Sequence, residues 1–182
     1  MTGFRHLEDE TLAELNRLRV AKGTFVAPDG TRFVRDVVRN LPVVAMVPLL
    51  DDGATVLLVR QYRGPIDAEL LELPAGLCDE PGEERETTAR RELAEEAGRR
   101  AASLEVIATV HPAPGFSDQV VTIYLATGLS ETDADPQGVE EHYLTLEEVA
   151  LADVPAMVAD GRLTDSKTII GLLSTRERLG LR

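Results

Sequence analysis

Three glutamates at helical spacing constrain the fold of this chain more than any other feature. Glu92, Glu95 and Glu96 occupy positions i, i+3 and i+4, so a helix through them places all three carboxylates on one face. Gly98 follows where a glycine commonly ends a helix. Neighbouring carboxylates repel one another unless a cation lies among them, and Mg²⁺ or Mn²⁺ prefers such oxygen ligands. The pattern therefore predicts a metal site on a helix over residues 85–97.

The alternative interpretation is a solvated acidic face, which is the usual meaning of a charge run on a helix. Two neighbouring features argue against it. Arg91 can pair with Glu95 four residues later, and Leu93 with Ala97 forms an apolar stripe that can bury the helix against a sheet. Because the E-x-x-E-E spacing alone is a weak signal, the residues around it decide between the two interpretations.

The segment from Gly76 to Arg99 resembles the signature box of the Nudix hydrolases. That box reads glycine, five residues, glutamate, seven residues, Arg-Glu, an aliphatic residue, any residue, Glu-Glu, any residue, glycine and an aliphatic residue. This chain departs from it twice, because six residues separate Gly76 from Glu83 and because Arg99 stands at the final aliphatic position. The extra residue lies in a loop, where insertions are tolerated. The positions in register are Glu83, Arg91, Glu92, Leu93, Glu95, Glu96 and Gly98.

Composition narrows the classes of partner. The chain has 182 residues, a single cysteine (Cys78) and a formal net charge of −13. One cysteine excludes an internal disulfide and fits a reducing compartment, and the acidic balance argues against binding to a nucleic-acid backbone. The longest apolar run, residues 41–50, is too short to span a membrane. We therefore expect a cytoplasmic protein that binds neither nucleic acid nor membranes.

Turn signals and hydrophobic patterning predict an α+β fold. Two turn signals, Pro-Asp-Gly at 28–30 and Asp-Asp-Gly at 51–53, predict β-hairpins. Residues 7–19, before the first hairpin, fit either a short helix or a strand. The predicted hairpins pair residues 20–27 with 32–39 and, in a more buried position, residues 43–50 with 55–62.

The last predicted helix covers residues 165–179, with Asp165 or Ser166 as its cap and Gly180 as its end. The Nudix resemblance implies an α/β/α sandwich with a mixed β-sheet and an amino-terminal antiparallel hairpin or sheet. It also implies a hairpin region over residues 1–42, for dimerisation and the nucleobase side of the pocket, and a hydrolase domain over 43–182. The other predicted elements are strands over 69–73, 104–111, 119–126 and 143–146 and a helix over 154–160.

Residues outside the box are similar to the ADP-ribose pyrophosphatase branch of the family. The similarity rests on segments 60–63 and 69–76 before the box and on segment 113–118 after it, where Pro114 matches a proline at a fixed distance. It implies hydrolysis of ADP-ribose to AMP and ribose 5-phosphate by a homodimer, with two or three Mg²⁺ or Mn²⁺ ions per site. Two alternatives remain open. One is hydrolysis of another nucleoside diphosphate sugar, such as GDP-mannose or ADP-glucose, and the other is a non-catalytic domain that senses ADP-ribose.

The resemblance also implies roles for named residues. Arg91 would orient the carboxylates, and Glu83 would support them without itself binding an ion. The general base would come from a loop before the last strand, where Glu140 and Glu141 both fit, with Glu95 as the fallback. The implied metal ligands are Glu92, Glu95, Glu96 and the backbone carbonyl of Ala75.

Substrate contacts are implied on both sides of the box. Arg63 can bind a phosphate in a fork, although an ordinary arginine at a strand end fits as well. The chain has no tryptophan, so arginines are the candidates for stacking on the base and Asp36 for accepting from the adenine amino group. Ordinary exposed charges on a hairpin are equally compatible. The implied positions are Arg17, Leu18, Arg35, Asp36, Arg39, Arg63, Leu77, Pro114 and Gly115.

Overall fold

The computed structural model describes residues 3–134 and 141–181. The chain divides into two compact units. The first unit consists of residues 1–42 and 111–120, and the second consists of residues 43–110 and 121–182. The loop over 111–120 belongs to the first unit because the amide of Val38 donates to the carbonyl of Phe116 at 2.7 Å.

The first unit contains an antiparallel sheet of three strands, β1 (Arg5–Glu14), β2 (Leu18–Val26) and β3 (Arg32–Asn40), in that order. The turn between β2 and β3 is closed by Asp29, whose carboxylate accepts a hydrogen bond from the amide two residues later at 2.9 Å. Gly30 in the same turn has a φ of 88°, a conformation that glycine adopts without strain. The first predicted hairpin is therefore confirmed. The preceding segment, which fitted either a helix or a strand, forms β1.

The described residues of the second unit form two sheets. One is mixed and consists, in spatial order, of β7 (Ala75–Leu77), β4 (Val43–Pro48), β9 (Val121–Glu131) and β8 (Arg99–Val110). Within it β4 and β9 run parallel, whereas the other pairs are antiparallel. The other sheet is antiparallel and consists, in spatial order, of β10 (Thr145–Ala150), β5 (Thr55–Arg63) and β6 (Ala68–Glu72).

Helices lie on both sides of the mixed sheet. One side packs against α1 (Arg85–Ala97), and the other packs against α2 (Val154–Ala159) and α3 (Ser166–Arg178). Successive side chains of a strand point to opposite faces, so Val44 and Met46 of β4 pack with α1 while Ala45 and Val47 pack with α2 and α3. The predicted α+β sandwich with a mixed sheet is confirmed. No helix in the described residues is both long and apolar enough to cross a membrane.

The predicted hairpin of residues 43–50 with 55–62 is wrong. The chain does reverse there, since the Leu50 amide donates to the Thr55 carbonyl at 2.9 Å. However, β4 lies between β7 and β9, whereas β5 lies between β10 and β6. Between these segments, the described residues form an isolated antiparallel β-bridge from Leu49 to Val56. Most residues of both strands are buried, so the backbone groups along both edges need hydrogen-bond partners, and a turn signal cannot identify these partners.

Three strands of the second unit differ from their predicted bounds by four residues or more at one end. Strand β8 starts directly after the glycine that ends α1, and β9 continues to Glu131. The two strands pair from Arg99 opposite Glu131 to Val110 opposite Val121, so the ladder extends into polar residues. Strand β10 begins at Thr145, two residues later than predicted, and continues to Ala150. Hydrophobic patterning misses strand ends whose side chains are polar.

Helix α3 begins where the sequence predicts. Asp165 caps it, because its carboxylate accepts from the Thr168 amide at 2.9 Å and from the Thr168 hydroxyl at 2.6 Å. The Thr168 hydroxyl oxygen accepts in turn from the Leu73 amide at 2.8 Å. The start of α3 is therefore tied to the residue that follows β6.

Candidate active site

Helix α1 buries one face and presents its glutamates beside it. Leu93 and Ala97 are completely buried, which confirms the predicted apolar stripe. The three glutamates of the predicted metal site are half-buried. Gly98 has a φ of 57° and its amide donates to the carbonyls of Ala94 and Leu93, so it ends the helix as a left-handed cap. The helix thus fixes the relative positions of the three carboxylates.

Arg91 lies at the centre of a group of carboxylates. Its Nη1 donates to Glu92 Oε1 at 2.9 Å and to Glu95 Oε2 at 3.1 Å, as the sequence spacing predicts for Glu95. Its Nη2 lies 3.5 Å from Glu83 and 3.8 Å from Asp79. Burial would lower the pKa of Arg91, but the charges of Glu92, Glu95 and Glu83 outweigh it and raise the pKa. The guanidinium therefore offsets the repulsion among these carboxylates and orients them.

Strand β7 lies directly against the carboxylates of α1. The amide of Ala75 donates to Glu96 Oε2 at 2.9 Å. A Cβ atom at Gly76 would lie 1.9 Å from the Cδ of Glu92, so a residue with any side chain would displace that carboxylate. Glu83 is held nearby by the Thr88 hydroxyl, which donates to it at 2.8 Å. The backbone of β7 and the face of α1 thus form one oxygen-rich surface.

The residues of this surface fit a hard divalent cation by their chemistry. Three carboxylates and the backbone of Ala75 offer oxygen ligands, which Mg²⁺ and Mn²⁺ prefer. As they stand, no three His, Cys, Asp or Glu side chains in residues 3–134 and 141–181 are arranged to hold an ion. Arg91 and the Ala75 amide engage the carboxylates instead. The metal-binding roles therefore stay predictions that rest on residue type and position.

A second charged cluster lies beside this surface, and its members other than Arg63 were missed by the sequence prediction. Arg63 forms a fork with Glu72, donating from Nε at 2.7 Å and from Nη2 at 2.8 Å. The Glu72 side chain is 2% exposed and also accepts a hydrogen bond from Lys167. The hydrogen bond from Arg63 to Glu72, together with the charge of Glu96, raises the pKa of Arg63. A charged residue within the apolar run 70–73 was the signal that could have identified Glu72.

The pH dependence of stability is expected to report on Glu72. Burial alone would raise the pKa of Glu72, but the hydrogen bonds and charges of Arg63 and Lys167 lower it from 4.5 to about 2. A carboxyl with a depressed folded pKa stabilises the protein above its unfolded pKa, and this contribution is lost as the pH falls from about 5 to about 2. A difference of one pKa unit between the folded and unfolded states corresponds to about 1.4 kcal/mol, so the contribution of Glu72 is on the order of 3 kcal/mol.

Urea unfolding at pH 7, 5 and 3 measures this contribution. We expect the unmutated protein to lose more free energy of unfolding between pH 5 and pH 3 than the Glu72→Gln variant, which cannot titrate at this position. Equal losses in both proteins would contradict the assignment of the depressed pKa to Glu72.

In the first unit, the structure brings together three of the predicted substrate contacts. Arg17, Leu18 and Arg39 line one hollow of about 260 Å³. Arg39 is also held by Asp9, to which it donates at 2.9 Å and 3.0 Å, and the hydrogen bond from Arg39 lowers the pKa of Asp9 to about 2. The guanidinium therefore already ties β3 to β1.

The other predicted contacts are dispersed. Arg35 and Asp36 are exposed on β3, and the Arg35 guanidinium lies 4.9 Å from the centre of the Phe33 ring. Leu77 is half-buried at the end of β7, whereas Pro114 and Gly115 are exposed in the loop of the first unit. Two predicted candidates for the base are Glu140 and Glu141. Glu140 lies outside the described residues, as does the side chain of Glu141.

The chain is similar to known proteins over most of its length. The sequence matches the NUDIX domain over residues 39–165. It is 36% identical to an ADP-ribose pyrophosphatase of Mycobacterium tuberculosis, over 94% of this chain and 82% of that protein. It is 33% identical to a GDP-mannose pyrophosphatase of Yersinia enterocolitica, over 65% of this chain and 64% of that protein.

A solved structure resembles most of the chain. The crystal structure of an ADP compounds hydrolase superposes with a TM-score of 0.83 and 27% sequence identity, covering 97% of this chain and 94% of that one. Nudix hydrolases generally use divalent metal ions, which agrees with the oxygen-rich surface of α1 and β7. Since the domain match takes in α1, β7 and most of the second unit, the chain belongs to the Nudix hydrolase family.

Proposed function

We propose that this Nudix hydrolase cleaves the diphosphate of ADP-ribose to give AMP and ribose 5-phosphate. The observation that carries the proposal is the carboxylate face of α1, held against the β7 backbone by the Ala75–Glu96 hydrogen bond. Arg63 forms its fork with Glu72, three residues before Ala75, and the charge of Glu96 helps to raise the pKa of Arg63, so an arginine stands near the carboxylates. The similarity to a Mycobacterium tuberculosis ADP-ribose pyrophosphatase over 94% of the chain supports the choice of substrate.

The carboxylates would work with divalent ions. Glu92, Glu95, Glu96 and the backbone carbonyl of Ala75 would hold two or three Mg²⁺ or Mn²⁺ ions, which when bound would neutralise the diphosphate oxygens and activate a water molecule. Arg91 would keep the carboxylates in position through the two hydrogen bonds from its Nη1.

Three further roles are part of the proposal. Glu140 or Glu141 would take the proton from the attacking water, with Glu95 as the fallback base. Arg63 would donate to a phosphate oxygen. The remaining contacts with the nucleotide and sugar would come from Arg17, Leu18, Arg35, Asp36, Arg39, Leu77, Pro114 and Gly115.

The proposed enzyme is a cytoplasmic homodimer that associates through its amino-terminal sheet, because that sheet exposes large apolar side chains such as Leu12 and Val34, which are each 50% exposed. Light scattering at micromolar concentration would measure the mass, and a monomer would contradict the dimer.

A different nucleoside diphosphate sugar is the second candidate substrate. The observation in its favour is the 33% identity to a GDP-mannose pyrophosphatase, together with the absence of tryptophan from the chain. A non-catalytic sensor of ADP-ribose is a weaker candidate, because a sensor has no need of the complete set of glutamates on α1.

Incubation with a substrate panel tests the proposal. The purified protein is given Mg²⁺ with ADP-ribose, GDP-mannose, ADP-glucose, NADH or diadenosine polyphosphates, and the products are separated by chromatography. We expect AMP to be released from ADP-ribose at the highest kcat/KM and excess EDTA to stop the reaction. Faster cleavage of GDP-mannose would select the second candidate, and ADP-ribose binding without turnover in Mg²⁺ or Mn²⁺ would select the sensor.

A further inference from the structure

A buried carboxylate stands between Arg63 and the start of α3. From its contacts we propose that Glu72 and Lys167 are positioning residues for Arg63, and that they leave its Nη1 available for a phosphate oxygen of the nucleoside diphosphate sugar. The inference rests on the proposed function, because it needs a diphosphate beside the carboxylates of α1.

Glu72 is the anchor of the pair that it forms with Arg63. The Glu72 side chain is 2% exposed, whereas the Arg63 side chain is 41% exposed, so the carboxylate is fixed in the interior and the guanidinium reaches outward. The fork uses Nε and Nη2 of Arg63. A planar guanidinium that is bound through two nitrogens has one orientation. Its third nitrogen, Nη1, is the group that this fork does not use.

Lys167 gives Glu72 a second cationic partner besides Arg63. When Arg63 shares its charge with a phosphate, a buried Glu72 with no other partner would be left poorly compensated, which is costly. Lys167 is 12% exposed and contacts Glu72 from α3. Its ammonium group also lies 3.1 Å from the carboxylate of Asp165, the helix cap. Glu72 therefore keeps a cationic partner that is itself held in place while Arg63 engages a ligand.

The start of α3 also holds the chain next to Glu72. The amide of Leu73 donates to the Thr168 hydroxyl at 2.8 Å, and two residues later the amide of Ala75 donates to Glu96. The segment that carries Glu72 is thus attached to α3 at one end and to α1 at the other. Movement of Glu72 away from Arg63 would require these attachments to change.

A second arginine fork on β5 provides a matched comparison. Arg60 donates to both oxygens of Glu147, but the two side chains are 38% and 39% exposed. Arg60 and Arg63 are three positions apart and so point to opposite faces of the strand. An exposed pair of this kind contributes little to stability. Arg60 also has no buried carboxylate that could position it.

A double-mutant cycle tests whether Lys167 acts through Arg63. The affinity for ADP-ribose is measured by calorimetry in EDTA, where no turnover occurs, for the unmutated protein, Arg63→Ala, Lys167→Met and the double variant. KM and kcat in Mg²⁺ are measured for the same four proteins, with GDP-mannose as a second ligand. Thermal melts establish that each variant is folded at the assay temperature.

We expect Arg63→Ala to weaken binding by about tenfold or more and Lys167→Met to weaken it by about fivefold. The double variant should bind no more weakly than Arg63→Ala, because Lys167 has no contact with the ligand. Lys167→Arg should recover most of the affinity, since an arginine can still pair with Glu72. Arg60→Ala should leave both the affinity and KM unchanged.

Three outcomes would overturn the inference. Multiplication of the two single effects in the double variant would mean that Lys167 contacts the ligand itself. An unchanged affinity and KM in Lys167→Met, with or without a lower melting temperature, would mean that its role is structural. If the unmutated protein neither binds nor hydrolyses either sugar nucleotide, the proposed function fails and the positioning role fails with it. If the unmutated protein hydrolyses a sugar nucleotide but the two single effects multiply in the double variant, the positioning role fails and the proposed function stands.

Discussion

Replacement of Glu96 by Gln is expected to lower kcat for ADP-ribose hydrolysis in Mg²⁺ by at least about 100-fold, with little change in the melting temperature. The substitution preserves the length of the side chain and an oxygen that can accept from the Ala75 amide, which contacts Glu96 at 2.9 Å. It removes the negative charge that the proposed divalent ions need. Residues that merely support metal ligands affect activity by about 10- to 100-fold, so loss of a ligand should have a larger effect.

Glu86→Gln on the same helix is the matched control. Glu86 pairs with Arg90 at the surface and its side chain is 52% exposed, so its loss should change kcat by less than about twofold and stability by only a few tenths of a kcal/mol. Release of AMP is followed for both variants, and Mg²⁺ affinity is measured by calorimetry. Near-normal turnover in Glu96→Gln would remove Glu96 from the proposed metal site.

Replacement of Gly76 by Ala is expected to reduce kcat by about 100-fold or more while leaving the protein folded. The added Cβ would lie 1.9 Å from the Cδ and 2.1 Å from the Oε1 of Glu92. A flexible side-chain end can move away from such a clash more easily than the backbone can, so the carboxylate should be displaced from the face of α1. The expected stability change is therefore small, whereas Mg²⁺ affinity should fall together with kcat.

Gly53→Ala separates this effect from simple destabilisation. Gly53 has a φ of 67° and no atom lies within 4 Å of an added Cβ, so alanine would be strained there by roughly 1 kcal/mol without contacting the glutamates. This control should lower the melting temperature and retain activity, which is the reverse of the pattern expected for Gly76→Ala. Full activity and unchanged Mg²⁺ affinity in Gly76→Ala would show that Glu92 tolerates displacement.

The glutamate helix was predictable because its determinants are local. Helical hydrogen bonds join residues four apart, so the Arg91–Glu95 pair, the apolar stripe and the glycine cap all lie within one short window. The predicted bounds, residues 85–97, are those of α1. The cap of α3 is equally local, because the Asp165 carboxylate accepts from an amide three residues later.

Sheet partners and the second charged cluster required knowledge of the packed chain. The turn at residues 51–53 predicts a reversal of direction, yet β4 and β5 join different sheets, where each is buried and has its backbone paired along both edges. The distance between Gly76 and Glu92 likewise depends on β7 lying on α1, which no spacing in the sequence records.

The local sequence was sufficient to identify the acidic helix, its glycine cap, the first hairpin and the resemblance to the Nudix hydrolases. Long-range packing was needed to bring Lys167 to Glu72, which is 95 positions away, and to bury Glu72 where it forms its fork with Arg63. The physical reason is that a helix is specified by residues within one or two turns, whereas a buried ion pair forms where separate elements meet. Their meeting is decided by the burial of the core, to which most of the described strands and helices of the second unit contribute.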